Sequence, residues 1–192
     1  QALSFVFGQY NYSLEDINPS STFLGQQIGP SFFEGYVTLH YFGYFTWGTC
    51  TNRFGQLNNL YENLKSQGYN VELVGISNGS ASSSSSGNWT SNNDSPVCVD
   101  SSNEEVWTAW SASQRDLFIL DLDGNLVLQQ NITSGIPDNL DSLNHKLVNS
   151  FWPWTVQSRW YICFWGPYVW RSWRLHWNCL LYTSDAADDV IS

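Results

Sequence analysis

Between Tyr36 and Ser77 the sequence passes through an apolar run, a helical stripe and a second apolar run, with a cysteine at the first junction. Tyr36-Val37-Thr38-Leu39-His40-Tyr41-Phe42 reads as a buried strand that ends at Gly43. From Asn52 to Gln67, apolar residues recur at Phe54, Leu57, Leu60, Tyr61 and Leu64, which is helical spacing, and Gly68 supplies a C-terminal stop. Asn70 to Ser77 is the second strand. Two apolar strands joined through a helix are parallel neighbours with a right-handed crossover, so the fold class is α/β. Cys50, in Phe45-Thr46-Trp47-Gly48-Thr49-Cys50, stands where the first strand gives way to the helix.

The flanking segments extend this unit. Residues 1–34 are polar, broken by Pro19 and Pro30, and are read as an irregular arm over the domain edge. Residues 78–95, centred on Ser82 to Ser86, are read as a long polar loop with nothing to bury. Val97 to Val99 is a short strand, and Asn103 to Trp110 a helix with Ser102 as N-cap and Glu104 and Glu105 near its positive end. Leu117 to Asp121 and Leu126 to Gln129 flank Asp123-Gly124, a hairpin signal. Pro137 opens a last helix that buries Leu140, Leu143, Leu147 and Val148. A strand–helix–strand unit followed by helix–hairpin–helix resembles the thioredoxin-like fold, a central mixed sheet flanked by helices, spanning residues 35–150.

Charge and composition remove several function classes. The formal net charge is −10, and residues 1–150 hold 14 acids against four bases, Arg53, Lys65, Arg115 and Lys146. Such a surface repels phosphate backbones, so nucleic acid is excluded as a partner. No apolar run is long enough to span a bilayer. Five Asn-x-Ser/Thr sequons stand at Asn11, Asn78, Asn88, Asn93 and Asn131, three of them in the polar loop. With so few Lys residues, they favour a secreted protein in a disulfide-permissive setting. There is no Met, so the sequence is read as lacking its true start, with any leader upstream of Gln1.

Three blocks in residues 32–150 resemble the N-terminal domain of selenoprotein P. They are Leu57-Asn58-Asn59-Leu60 through Leu64-Lys65-Ser66-Gln67-Gly68-Tyr69, Pro96-Val97 with Glu105-Val106-Trp107-Thr108, and Asp116 to Asp121 with Gly124-Asn125-Leu126-Val127. In that family the junction reads selenocysteine-x-x-Cys, and the selenocysteine falls on Trp47. The selenocysteine codon means Trp in some genetic codes, so translation under such a code prints Trp at that place. Residues 151–179 hold seven of the 11 Trp, and Trp160-Tyr161-Ile162-Cys163 repeats the spacing, as a selenocysteine-rich tail would. Frame-shifted translation is the competing reading of that unstructured, Trp-rich tail. Residues 180–192 resemble translated sequencing adapter.

The resemblance implies chemistry at Trp47 and Cys50. A selenol or thiol at 47, ionised at a helix N-terminus, attacks a peroxide or another small oxidant; Cys50 resolves the product and an external thiol resets the pair. Selenium carried as selenocysteine is the only special group this requires, and selenium transport through the tail is a second implied role. A receptor protein is not identified. Thioredoxins place a cis-proline before the hairpin strand, facing the redox pair; Arg115-Asp116 occupies that place, which favours a small oxidant over protein disulfides. A true indole at 47 is no nucleophile, and the domain would then be a redox-inactive binding module with Cys50 as a structural thiol. Cys98 is read as a free core cysteine. His40, His145 and His176 have no ligand spacing, and Asp121-Leu122-Asp123-Gly124 lacks the other ligands of a calcium loop, so no metal is expected.

Overall fold

The computed structural model describes residues 9–79, 85–91, 93–137 and 140. The expected last helix, apart from Pro137 and Leu140, the Trp-rich tail, the adapter-like end, His145 and His176 lie outside the described residues.

Strands β1 (Leu14–Glu15) and β2 (Gln27–Ile28) form a small antiparallel pair. They precede β3 (Val37–Gly43), helix α1 (Gly48–Ser66) and β4 (Val71–Ser77). Then come α2 (Gly87–Thr90), β5 (Val97–Val99), α3 (Glu105–Ala109), β6 (Asp116–Leu120) and β7 (Leu126–Asn131). The main sheet has the order β5-β4-β3-β6-β7. β3 pairs with β4, and β4 with β5, in parallel, while β6 and β7 run antiparallel. This is a thioredoxin-like α/β fold with a mixed central sheet.

Alternation along β3 divides two cores. Val37, Leu39 and Tyr41 face α1, where Cys50, Phe54, Leu57, Tyr61 and Leu64 form the buried stripe. Phe42, with Val74 and Ile76 of β4, faces Trp107 and Trp110, together with Tyr12, Ile28 and Phe33 of the arm. The arm is therefore core material. Its Ile17 N–H donates to the Val97 carbonyl at 2.8 Å, and the Asp16 carboxylate accepts from the Val97 N–H at 3.0 Å, which covers the β5 edge.

Three local expectations need correction. Helix α1 begins at Gly48, four residues before Asn52, because its first turn contributes only Cys50 to the apolar stripe. The 78–95 segment does bury something: α2 places Trp89 at 1% exposure, stacked on Phe54 with ring centroids 4.7 Å apart. The indole lies across Gly43 and Gly75, where an added Cβ would come within 3.0 Å of its ring, so these strand glycines are a packing requirement. Ser102 does not cap α3. Glu104 takes a left-handed φ of 54°, and the Asp100 carboxylate accepts from the Val106 and Trp107 N–H groups at 3.2 and 2.9 Å. The Asp123-Gly124 hairpin is present; Asp121 accepts from the Asp123 and Asn125 N–H groups, and Gly124 has φ 79°. A register shift at Ile119/Leu120 leaves Val127 out of the pairing and exposed.

Candidate functional site

The parallel strand β3 ends at Gly43, and after four intervening residues α1 begins at Gly48. A long helix leaves its first N–H groups without intrahelical partners, and they carry the positive end of its dipole. At α1 nothing local answers this. Trp47 is the N-cap, in extended conformation with φ −100° and ψ 114°, without a side-chain capping bond, and no acidic residue occupies the first turn. Position 47 is thus held at an uncapped helix start. Its backbone N–H donates to the Tyr44 carbonyl at 3.2 Å and its carbonyl accepts from Thr51 at 3.0 Å. The indole is 53% exposed and lies 5.9 Å from the Tyr44 ring.

Cys50, one turn on, is fully buried and free. The Tyr41 hydroxyl donates to its carbonyl at 3.2 Å, and burial pushes that phenol well above its ordinary range, so it remains a donor. Two side chains reach the Cys50 sulfur from the segment before β6: Gln114 Nε2 at 3.4 Å and Arg115 Nη1 at 3.9 Å. Arg115 has φ 70°, and its N–H donates to the Phe42 carbonyl at 2.8 Å. Arg115 thus stands beside the thiol at the place singled out by the absent proline. No cis peptide bond occurs among the described residues. Gln114 was not foreseen, because only the three-dimensional approach of the β6 entry to α1 makes it a neighbour of Cys50. The arrangement presents a group at 47 to solvent and brings two donors to the Cys50 sulfur.

The remaining sequence candidates separate clearly. Asn78 is 1% exposed, where a glycan has no room. The side-chain amides of Asn88, Asn93 and Asn131 donate to the carbonyls of Phe45, Trp89 and Gln114. Asn11 is exposed and uses only its oxygen, accepting from Ser31. Cys98 is buried and free, and burial raises its thiol pKa. His40 is buried between Tyr12 (2.8 Å) and Thr38 (2.9 Å), and burial lowers its pKa to about 3. It is a core histidine. No cluster of His, Cys, Asp or Glu suited to a metal occurs among the described residues, and no helix among them is long and apolar enough to cross a membrane.

No family model matches the chain, and no curated protein sequence matches it. Solved structures do. The thioredoxin domain of a thiol-disulfide oxidoreductase from Bacteroides vulgatus aligns with TM-score 0.57 and 16% identity over 76% of this chain and 100% of its own. BsSco, a member of the Sco family of cytochrome c oxidase assembly proteins, aligns with TM-score 0.57 and 13% identity, covering 78% and 96%. A secreted Mycobacterium tuberculosis disulfide oxidoreductase aligns with TM-score 0.53 and 13% identity, covering 75% and 99%. At such identities the likeness establishes a common fold.

Proposed function

We propose that the domain is an extracellular selenol- or thiol-dependent oxidoreductase of small oxidants, peroxides foremost, of the selenoprotein P type. Position 47 is the nucleophile and Cys50 the resolving thiol. One observation carries the reading. An exposed position stands at the uncapped start of a 19-residue helix, one turn before a buried thiol that accepts from Gln114 and Arg115. A nucleophile that must meet its oxidant in solvent and then be resolved internally needs this pairing of exposed and buried sites.

The steps balance with a selenol at 47. Its selenium takes one oxygen from ROOH, giving a selenenic acid and ROH. The Cys50 thiol attacks the selenium, and the selenenic oxygen leaves as water. Two external thiols then reduce the selenium–sulfur bond, restore both groups and leave as a disulfide. The peroxide gains the two electrons that the external thiols lose. Under the same reading residues 151–179 are a selenium store.

The alternative is a redox-inactive binding module, and the exposed Trp47 beside Tyr44 is what favours it. The mass of the native peptide from Thr46 to Arg53 separates the two. A selenium isotope pattern supports the oxidoreductase; a plain tryptophan mass sinks the nucleophile assignment. In recombinant chain, Trp47→Cys should confer thiol-dependent turnover of hydrogen peroxide through a 47–50 disulfide, and adding Cys50→Ser should replace that disulfide with a sulfenic acid that the external thiol takes up as a mixed disulfide.

A further inference from the structure

Cations are scarce in this chain, and the fold brings one of them to the thiol and a second to the Thr133 that the first also meets. The described residues carry three Lys or Arg side chains, Arg53, Lys65 and Arg115. Lys65 lies 3.3 Å from the Asp94 carboxylate. Among the described residues no carboxylate lies within ion-pair distance of Arg53 or Arg115. Both guanidiniums instead meet the segment that leaves β7. Arg115 Nε donates to Thr133 Oγ1 at 2.8 Å; Arg53 donates from Nε to the Ile132 carbonyl at 2.8 Å and from Nη2 to the Thr133 carbonyl at 3.0 Å. Arg115 Nη1 also reaches the Cys50 sulfur.

These bonds leave donors unspent. Of the five N–H groups on a guanidinium, Arg53 uses three, including one to Gln56 Oε1, and Arg115 uses two. Planar N–H pairs of this kind match the two oxygens of a carboxylate. The backbone at Arg115 is also held against its preference. A left-handed φ of 70° is uncommon for a residue with a side chain, yet bonds to Phe42 and from Ile132, each 2.8 Å, fix it there. In a chain of net charge −10, Arg115 at the thiol and Arg53, joined to it through Thr133, have no carboxylate partner among the described residues.

We propose that Arg115 and Arg53 form an anion-recognition site beside Cys50, so that the small oxidant reduced here carries a carboxylate. The redox part of this rests on the oxidoreductase reading above; the anion site does not. The guanidiniums hold the carboxylate while the oxidising bond of the same molecule faces positions 47 and 50. For a disulfide RSSR, sulfur at 47 displaces one RS⁻ and Cys50 sulfur displaces the second. The pair closes as a disulfide, and its two protons leave on two RSH.

The test uses the full chain carrying Trp47→Cys, with dithiodipropionate as the anionic disulfide and hydroxyethyl disulfide as the neutral one. We expect kcat/KM to favour dithiodipropionate by about tenfold or more, a ratio that Arg115→Gln collapses and Arg115→Lys largely keeps. Suberate, the redox-inert dicarboxylate of the same length, should shift the Nε–H resonances of Arg115 and Arg53, and hexanediol should not. If suberate leaves them unmoved, the anion site is overturned whatever the turnover. If both disulfides are reduced equally, and Arg115→Gln does not alter the ratio, the specificity role is overturned and the oxidoreductase reading stands. If suberate binds but neither disulfide is reduced, the oxidoreductase reading falls and the anion site survives.

Discussion

The two faces of the main sheet are buried by different means. On one face a single 19-residue helix lays down a continuous stripe, Cys50, Phe54, Leu57, Tyr61 and Leu64. On the other the cover is assembled from pieces: five-residue α3, Trp110 just after it, and Tyr12, Ile28 and Phe33 from the arm. The helix starts differ in the same way. That of α3 is closed by the Asp100 carboxylate, whereas that of α1 has no side-chain cap. A long helix docked by its own stripe can leave its N-terminus open without losing its place. A five-residue helix, too short to be stable alone, cannot. The open end is where the thiol stands.

The largest effect expected concerns the two indoles that anchor these faces, Trp89 against Phe54 and Trp110 against His40, Phe42 and Phe118. Each is 2% exposed or less. Trp89→Ala and Trp110→Ala should each cost about 3–5 kcal/mol in urea unfolding. A loss under about 1 kcal/mol at Trp110 alone would mean that the assembled face is a cover and not a second core.

Acid and base should pull on the two faces in opposite directions. Burial raises Glu72, beside Tyr61 of the α1 stripe, to about 7 from 4.5. A raised carboxyl contributes its stability below pH 4.5 and loses it as pH rises through 7, about 3 kcal/mol in all. His40, on the assembled face between Tyr12 and Thr38, is depressed from 6.5 to about 3. Its contribution is present above pH 6.5 and declines as pH falls, by about 2 kcal/mol at pH 5. Glu72→Gln should flatten the alkaline limb of a stability–pH curve, and His40→Asn the acid limb. If one substitution flattens both limbs, the two assignments are wrong.

The α1 face was legible in the sequence because its signals are local. Apolar runs at β3 and β4 and the helical stripe between them need no knowledge of distant residues, and the junction drew attention to 47 and 50. The other face was not, because Tyr12, Ile28 and Phe33 follow no period. Tyr12, for one, is fixed by His40, 28 residues along the chain. Trp89 was hidden for a related reason: one apolar residue in a polar tract gives no pattern, though two bare strand glycines receive it. At the site, the missing proline marked Arg115, but the sulfur contacts of Gln114 and Arg115 depend on how β6 returns to α1.

The smallest effects test the contrast between the helix starts. Asp100 reaches Val106 and Trp107, six and seven residues ahead, across the left-handed Glu104. A search for a cap next to the helix passes over it and finds Ser102. Asp100→Ala strands two buried N–H groups and should cost about 2 kcal/mol; Asp100→Asn, which keeps one acceptor oxygen, should cost less. The reverse experiment applies to α1. Position 47 already has the extended backbone of an N-cap, so Trp47→Asp should stabilise the domain by about 1 kcal/mol in urea unfolding. A gain there would show that the open helix start forgoes stability that an ordinary cap could supply, as a start kept free for an incoming anion or an ionised nucleophile must. If Trp47→Asp gives no gain, the first-turn N–H groups are already satisfied, and the contrast with α3 loses its meaning.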